Sequence, residues 1–106
     1  TCKRDASCWQ KSLNDSQTSV LARERASWQL GWLGDDQALP ALLKAAEDEN
    51  SDVRVAAVAS LSRFGAKLKS ASLQAIHDRW KDKLTYKNAN ADLKRLIARV
   101  ENQEGL

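Results

Sequence analysis

Glycine and proline are scarce in this chain, whose 106 residues include 4 glycines and 1 proline. Because these residues build most tight turns between strands, their scarcity argues against a fold of many short β-hairpins. No apolar run approaches the roughly 20 residues that a membrane-spanning helix needs. Alanine, leucine and long charged or amide side chains dominate instead, and these residues favour α-helix.

Methionine is absent, and the sequence opens at Thr1 without the apolar core of a signal peptide. We therefore expect a processed or excised part of a longer protein. The length predicts one domain with a modest core. The net charge of +3 is uneven: residues 67–106 carry 9 basic and 5 acidic groups, and residues 1–66 carry 8 and 9. Such a charge only weakly favours an acidic partner.

Cysteine occurs twice, at Cys2 and Cys8. Two alternatives are open: a small disulfide that pins the chain end, or two free thiols. A zinc site needs about four ligands, and only the distant His77 is available to join the cysteines, so we predict no metal site. A disulfide would indicate an oxidising compartment, which favours a periplasmic or secreted location over the cytoplasm.

An internal repeat is the main organising feature. The segment LARERASWQLGWLG, from Leu21 to Gly34, returns as DVRVAAVASLSRFG from Asp52 to Gly65, 31 residues later. Apolar positions recur in both copies at helical spacing, so each copy is predicted to be a helix with one buried side. The residues that align on this side are Arg23 with Arg54, Ala26 with Ala57, Leu30 with Leu61, and Leu33 with Phe64.

Turn residues predict where these helices begin and end. Ser51 or Asp52 is expected to cap the start of the second copy. Gly65 is expected to end that copy in a left-handed conformation. Asp5 is the expected cap of an earlier, N-terminal helix that contains Trp9.

Three more helices are predicted around these. Between the copies, Asp35 or Asp36 is expected to cap a helix that has Pro40 in its first turn. After Gly65 the pattern loosens into two helices joined by a polar linker, TYKNANAD, and Gly105 follows the second. Their apolar positions are Leu73, Ile76, Trp80 and Leu84, then Leu93, Leu96, Ile97 and Val100.

The stretch LGWLGDDQALPALLKAAEDENSDVRVAAVASLSRFG, residues 30–65, resembles the short HEAT-like repeats of the phycobilisome-lyase type. The resemblance implies an all-α fold, a right-handed α-α superhelix of about three helix pairs. It places a single domain at residues 1–106, with units at about 5–34 and 35–65 and a degenerate capping unit at about 66–106. Members of this family mostly act as binding scaffolds, which implies a protein partner.

We therefore expect a non-catalytic protein–protein interaction module that uses the concave face and needs no cofactor. One alternative is a helper or lyase-like protein for attachment of a tetrapyrrole chromophore, as in some proteins of this family. Another is weak nucleic-acid binding by the basic residues around Trp80 and Tyr86. The iron-dependent hydroxylase built on such repeats uses paired His-Glu motifs, and this chain has none.

Trp28 and Trp32 fall outside the buried stripe. They align with Ala59 and Arg63 of the second copy and, being four residues apart, share one helix face. One alternative is an exposed patch that contacts a partner. The other is packing against the N-terminal helix near Trp9, since large aromatic residues are usually buried.

Charged residues near the tryptophans are candidates as well. Arg23 and Glu24 would join the tryptophans as partner contacts. However, Arg23 recurs as Arg54, and repeated arginines in this family commonly pair with an aspartate of a neighbouring turn, which favours a structural role. His77 has no nucleophile or carboxylate at a spacing that completes a catalytic set, so we predict no catalytic residue.

Overall fold

Six α-helices make up most of the residues that a computed structural model of the chain describes. The structure describes residues 2–15, 17–82 and 87–105, with the backbone alone at 87 and 88, and no β-strand occurs among them. Two short 3-10 helices also occur among these residues, at Asp36–Ala38 and Ser62–Lys67. The helices are α1 Ala6–Asn14, α2 Val20–Leu33, α3 Leu39–Ala45, α4 Ser51–Leu61, α5 Ser70–Trp80 and α6 Lys87–Glu104.

The helices are arranged in pairs that stack side by side. Helix α1 packs on α2, α3 on α4, and α5 on α6. The second helix of each pair also packs against the next, so α2, α4 and α6 form one continuous row, and α1 and α3 lie behind it. The molecule measures 40 × 32 × 16 Å, a slab about two helices thick. The predicted all-α helical repeat fold is confirmed.

The core lies between the two layers and is built from the predicted stripes. Ala26, Leu30, Leu42, Leu61 and Leu73 are fully buried. Because α2 and α4 place equivalent residues on the same side, each unit continues the apolar layer of the one before it. The layer continues into α6, where the buried residues are Ala89, Leu93, Leu96, Ile97 and Val100.

Several predicted caps occur as expected. The Asp5 carboxylate accepts a hydrogen bond from the Cys8 amide at 3.3 Å, at the start of α1. Asp35 caps the 3-10 turn before α3, and Pro40 lies in the first turn of α3. At the end of α2, Gly34 has a φ of 67°, which glycine adopts without steric cost.

Three local predictions are wrong. The cap of α4 is Asn50, whose side-chain oxygen accepts from the amides of Asp52 and Val53, so neither Ser51 nor Asp52 is the cap. Among the described residues, Gly34 is the only glycine with positive φ. Gly65 instead continues α4 as a 3-10 helix, where the Arg99 guanidinium packs so closely that a methyl group would lie 2.8 Å from it.

The third wrong prediction is the polar linker TYKNANAD. Helix α6 already begins at Lys87 and includes most of this segment. The polar residues there predict a loop, but Ala89 is buried in the helix. Tertiary packing of the buried Ala89 outweighs the weak helix propensity of asparagine. Leu84, Thr85 and Tyr86 lie outside the described residues.

The closest approach in the row is between α2 and α4. Gly31 faces Ser60, and a methyl group at Gly31 would lie 2.6 Å from the Ser60 Oγ and 3.0 Å from its Cα. The Ser60 hydroxyl donates to the Ser27 carbonyl oxygen across the interface at 2.7 Å, and both serines are buried. Small residues therefore set the spacing of the two helices that carry the repeat.

The end of α6 caps the start of α5. The Glu104 carboxylate accepts from the Ser70 amide and the Ser70 hydroxyl, each at 2.7 Å. The Ser70 amide bond, then the Ser70 hydroxyl and the charge of Lys69, lower the pKa of Glu104 below its ordinary value. Since Lys69, at the N-cap position, makes no side-chain cap bond, Glu104 supplies the cap that the local sequence lacks.

This long-range cap predicts a pH dependence. Because the pKa is lowered in the folded state, the contribution of Glu104 to stability is present above the ordinary glutamate pKa and is lost as the pH falls through the folded-state value. Glu104→Gln should therefore have a lower melting temperature than the wild type at neutral pH. The difference should shrink on acidification, as followed by circular dichroism. A difference that stays constant at acidic pH would contradict this role.

Candidate binding surface

An exposed apolar ridge runs along α2. Trp32 is 69% exposed and Trp28 is 41% exposed, and Leu21 on the same stripe is 55% exposed. Residues seven and eleven positions apart return to nearly the same side of an α-helix, so these three side chains line up. We call Leu21, Trp28 and Trp32 the α2 ridge. Exposed side chains of this size, grouped together, are typical of interaction sites.

The repeat register explains why both indoles face outward. The buried side of α2 is already occupied by Ala26 and Leu30, which match Ala57 and Leu61 of α4. Trp28 and Trp32 lie about half a turn away from that side. The predicted alternative, in which Trp28 and Trp32 pack against the N-terminal helix near Trp9, is therefore not what the structure shows. Trp9 itself is half-buried, and its indole N–H donates to the Lys3 carbonyl oxygen at 2.7 Å.

Leu21 was not predicted, because it does not stand out when the two repeat copies are compared. Leu21 aligns with Asp52 at the start of the helix. A single leucine at that position does not define an apolar pattern. Its helical phase relative to Trp28 and Trp32 is the signal that would have identified it.

An arginine of the next helix covers one end of the ridge. The Arg63 guanidinium lies over the Trp32 ring, 4.4 Å from its centroid. Arg63 is the repeat equivalent of Trp32, so the same position on neighbouring helices supplies both members of the contact. A cation over an indole at an exposed site is worth about 0.5–1 kcal/mol. It also orients the guanidinium beside the ridge.

A trough of about 420 Å³ lies next to the ridge, between α4 and α6. Val58, Ala59 and Ser62 line it from α4, and α6 contributes Asp92, Arg95, Leu96 and Arg99. Ala59 occupies in α4 the position that Trp28 occupies in α2. The small side chain therefore leaves a depression where the previous helix has a ridge.

Arginines form the far wall of this trough. Arg95 contacts the Asp92 carboxylate, and Arg99 donates to the Ser62 carbonyl oxygen at the end of α4. Both arginines are exposed, and 72% of the Arg95 side chain is accessible. Two guanidinium groups and one carboxylate line the trough, so the net charge of its lining side chains is positive.

The two other predicted contact residues, Arg23 and Glu24, are less exposed than the tryptophans. Arg23 is about 140° around the helix from Trp28, and its Nε donates to the Asp48 carboxylate at 3.0 Å. Its Nη1 donates to the Thr18 carbonyl oxygen, and only 17% of the side chain is exposed. Arg23 thus joins two units, as the predicted structural role requires. Glu24 is half-buried beside the ridge, on the side nearer α4.

Arg54 repeats this arrangement one unit later. Its Nη1 donates to the Asp48 carbonyl oxygen at 2.6 Å, as Arg23 does to Thr18. Unlike Arg23, it is almost fully buried, and its guanidinium lies 4.3 Å from the centre of the Trp80 ring. Trp80 packs half-buried against the core. It is therefore not the exposed stacking residue that the nucleic-acid alternative requires.

The other chemical candidates lie away from the α2 ridge. Cys2 and Cys8 are joined as a disulfide, with their Cα atoms 5.3 Å apart. His77 is buried at the Trp80 end of α5, with its Nδ1 3.8 Å from the Asp78 carboxylate. In the part of the chain that the structure describes, no cluster of three or more His, Cys, Asp or Glu side chains is placed to hold a metal ion. None of the described helices has the length and apolarity to cross a bilayer.

The fold and its side-by-side pairs define an α-helical repeat protein of the solenoid class. A model of the HEAT repeats family matches residues 10–99, which is most of the chain. The protein belongs to the HEAT repeat family. That result confirms the resemblance seen in the sequence, although the phycobilisome-lyase subtype stays a prediction. Comparison with curated proteins finds no match, and comparison with solved structures finds none either.

Proposed function

We propose that this protein is a non-catalytic protein–protein interaction module that binds its partner through the α2 ridge and the surface beside it. HEAT repeats commonly act as protein-interaction scaffolds, so the family supports the class of function. The observation that carries the proposal is the exposure of Trp28 and Trp32, at 41% and 69%. Tryptophan and arginine are the residues most often found at the energetic centres of protein interfaces.

The energetics of folding do not account for the ridge. An indole that stays exposed contributes little to the core, and a large exposed apolar side chain favours aggregation unless a partner covers it. The indole positions also differ from their repeat equivalents, Ala59 and Arg63, so the repeat architecture does not require tryptophan there. A binding role explains both facts together.

A paired pull-down from the native source tests the proposal. The baits are the wild-type chain and Trp28→Ala/Trp32→Ala, with circular dichroism to confirm that both are folded. Because the indoles are exposed, the variant should unfold within about 1 kcal/mol of the wild type. A partner captured by the wild type should bind the variant at least about tenfold more weakly, since central aromatic residues contribute 2 kcal/mol or more at interfaces.

A conservative variant separates the aromatic surface from the tryptophans themselves. Trp28→Phe/Trp32→Phe keeps most of the apolar area and should retain an intermediate affinity. Equal capture by all three baits would disprove the binding role of the ridge. Loss of the fold in the alanine variant would show that the indoles support the structure, contrary to their exposure.

A further inference from the structure

The face formed by α2, α4 and α6 carries three parallel features. The α2 ridge is apolar and aromatic, the trough over Ala59 is shallow and partly apolar, and Arg95 and Arg99 form a cationic wall on α6. Packed helices lie about 9 Å apart, so the ridge and the wall are separated by about 18 Å. An extended peptide covers about 3.3 Å per residue, and about six residues therefore span the face.

The positive charges on this face favour a partner that carries carboxylates. Arg95 and Arg99 line a trough that has a single acidic lining residue, Asp92. A guanidinium has five N–H donors in a rigid fork that fits a carboxylate. The bonds to Asp92 and to the Ser62 carbonyl oxygen start from one nitrogen of each arginine. Both side chains are exposed and keep donors that a partner can use.

We infer that the occupant of this face is a short, extended acidic segment of a partner protein. Its Asp or Glu carboxylates contact Arg95 and Arg99, and an apolar or aromatic side chain a few residues away packs on Trp28 and Trp32. The inference rests on the proposed function and adds the chemistry of the partner. The volume of the trough, about 420 Å³, is within the range of pockets that receive ligand groups.

Charge placement favours a peptide over single-stranded nucleic acid. Strands of nucleic acid need a continuous cationic track for their phosphates, together with stacking residues. Here Asp92 lies in the trough, and Glu24 lies between α4 and the ridge. Each would repel a phosphate backbone that crosses the face. A peptide need not carry a charge at every residue, so it can place carboxylates beside Arg95 and Arg99 and neutral residues beside Asp92 and Glu24.

The test is a selection of short random peptides displayed on phage, with the folded wild-type chain as the target. Enriched peptides are then synthesised with a fluorescent label and titrated by fluorescence anisotropy. We expect enrichment of Asp and Glu close to an aromatic or aliphatic residue. Affinity should fall at least about tenfold in Arg95→Gln/Arg99→Gln, because two charge-assisted hydrogen bonds are removed.

Matched variants separate the local chemistry from net charge and from folding. Lys11→Gln/Lys94→Gln removes the same charge from exposed positions outside the trough, and it should bind almost as the wild type does. Ala59→Glu and Ala59→Gln fill the trough equally, but only the first adds a negative charge. Ala59→Glu should therefore weaken binding more, and it leaves the Arg95 and Arg99 side chains themselves unchanged.

Other results would overturn the inference in distinguishable ways. Peptides without enriched acidic residues, or with affinities that ignore Arg95 and Arg99, refute the acidic segment. If such peptides still depend on Trp28 and Trp32, the proposed function stands. Failure to enrich any peptide also counts against a short linear occupant, while the pull-down continues to test the module itself. Tighter binding of a poly-dT oligonucleotide, lost in the same arginine variant, would assign the face to nucleic acid.

Discussion

Replacing Arg54 with alanine is expected to lower the free energy of unfolding by about 3 kcal/mol. The side chain is 2% exposed, so truncation leaves a cavity in the packed layer. It also removes the hydrogen bond to the Asp48 carbonyl oxygen and the contact with the Trp80 ring. These contacts join α4 to the turn before it and to α5, so the loss affects two neighbouring units. Urea denaturation followed by circular dichroism measures the change.

Arg63→Ala is the matched control for this prediction. Arg63 also stacks on a tryptophan, Trp32, at 4.4 Å from the ring centroid, but it is exposed. Its loss should change the stability by no more than about 1 kcal/mol, because water replaces the contact. A similar decrease in the free energy of unfolding for the two substitutions would contradict the argument that burial makes Arg54 important for stability. The comparison therefore isolates burial from the cation–π contact itself.

Gly31→Val should destabilise the protein by about 3 kcal/mol through overpacking of α2 against α4. A Cβ atom at Gly31 would lie 2.7 Å from the Ser60 Cβ and 3.0 Å from its Cα. The close backbone atom means that rotation of the Ser60 side chain cannot relieve the clash. The helices must move apart, and the buried bond from Ser60 to the Ser27 carbonyl oxygen is then weakened. Chemical denaturation gives the free-energy change.

A milder pair of substitutions tests the mechanism. Gly31→Ala should be destabilising, and adding Ser60→Gly should recover part of the loss because two of the close atoms are removed. Gly34→Ala is the control: a methyl group there meets no neighbouring atom within 4 Å, and its cost of about 1 kcal/mol comes from the positive φ. Ser60→Gly should not rescue Gly34→Ala. Equal rescue of both variants would refute the contact between the helices as the cause.

Local sequence predicted the regular part of this fold well. The aligned stripes around Ala26 and Ala57 identified two equivalent helices, because helical periodicity depends only on residues close in the chain. Asp5 and Asp35 marked helix starts for the same reason, since capping is a short-range interaction. The family resemblance implied that repeated arginines pair with an aspartate of a neighbouring turn, and Arg23 pairs with Asp48 in this way.

Predictions failed where distant residues decide the local conformation. Gly65 looked like a left-handed cap, but the helix continues, and the side chain that needs a small residue there is Arg99, from α6. The start of α5 has no local side-chain cap, and Glu104 provides one from the other end of the last unit. Neither partner can be found from a window of neighbouring residues.

The candidate binding surface was likewise predictable from the sequence only in part. The sequence indicated that Trp28 and Trp32 lie off the buried stripe. A buried stripe does not indicate whether another helix covers the opposite face of the same helix. Only the packing of α1 behind α2 shows that the indoles stay exposed. The trough beside them was not predicted, because it depends on the spacing of α4 and α6.

The amino-acid sequence by itself determined the helical repeat, its register and the residues that fill its core, because these follow from periodicity and short-range capping. Tertiary structure decided which off-stripe residues meet solvent and which meet one another. Arg63 reaches Trp32, and Arg95 and Arg99 reach the trough beside Ala59, only when the helices stack. A surface shared by three helices is a property of their relative positions, and no single segment of the chain contains it.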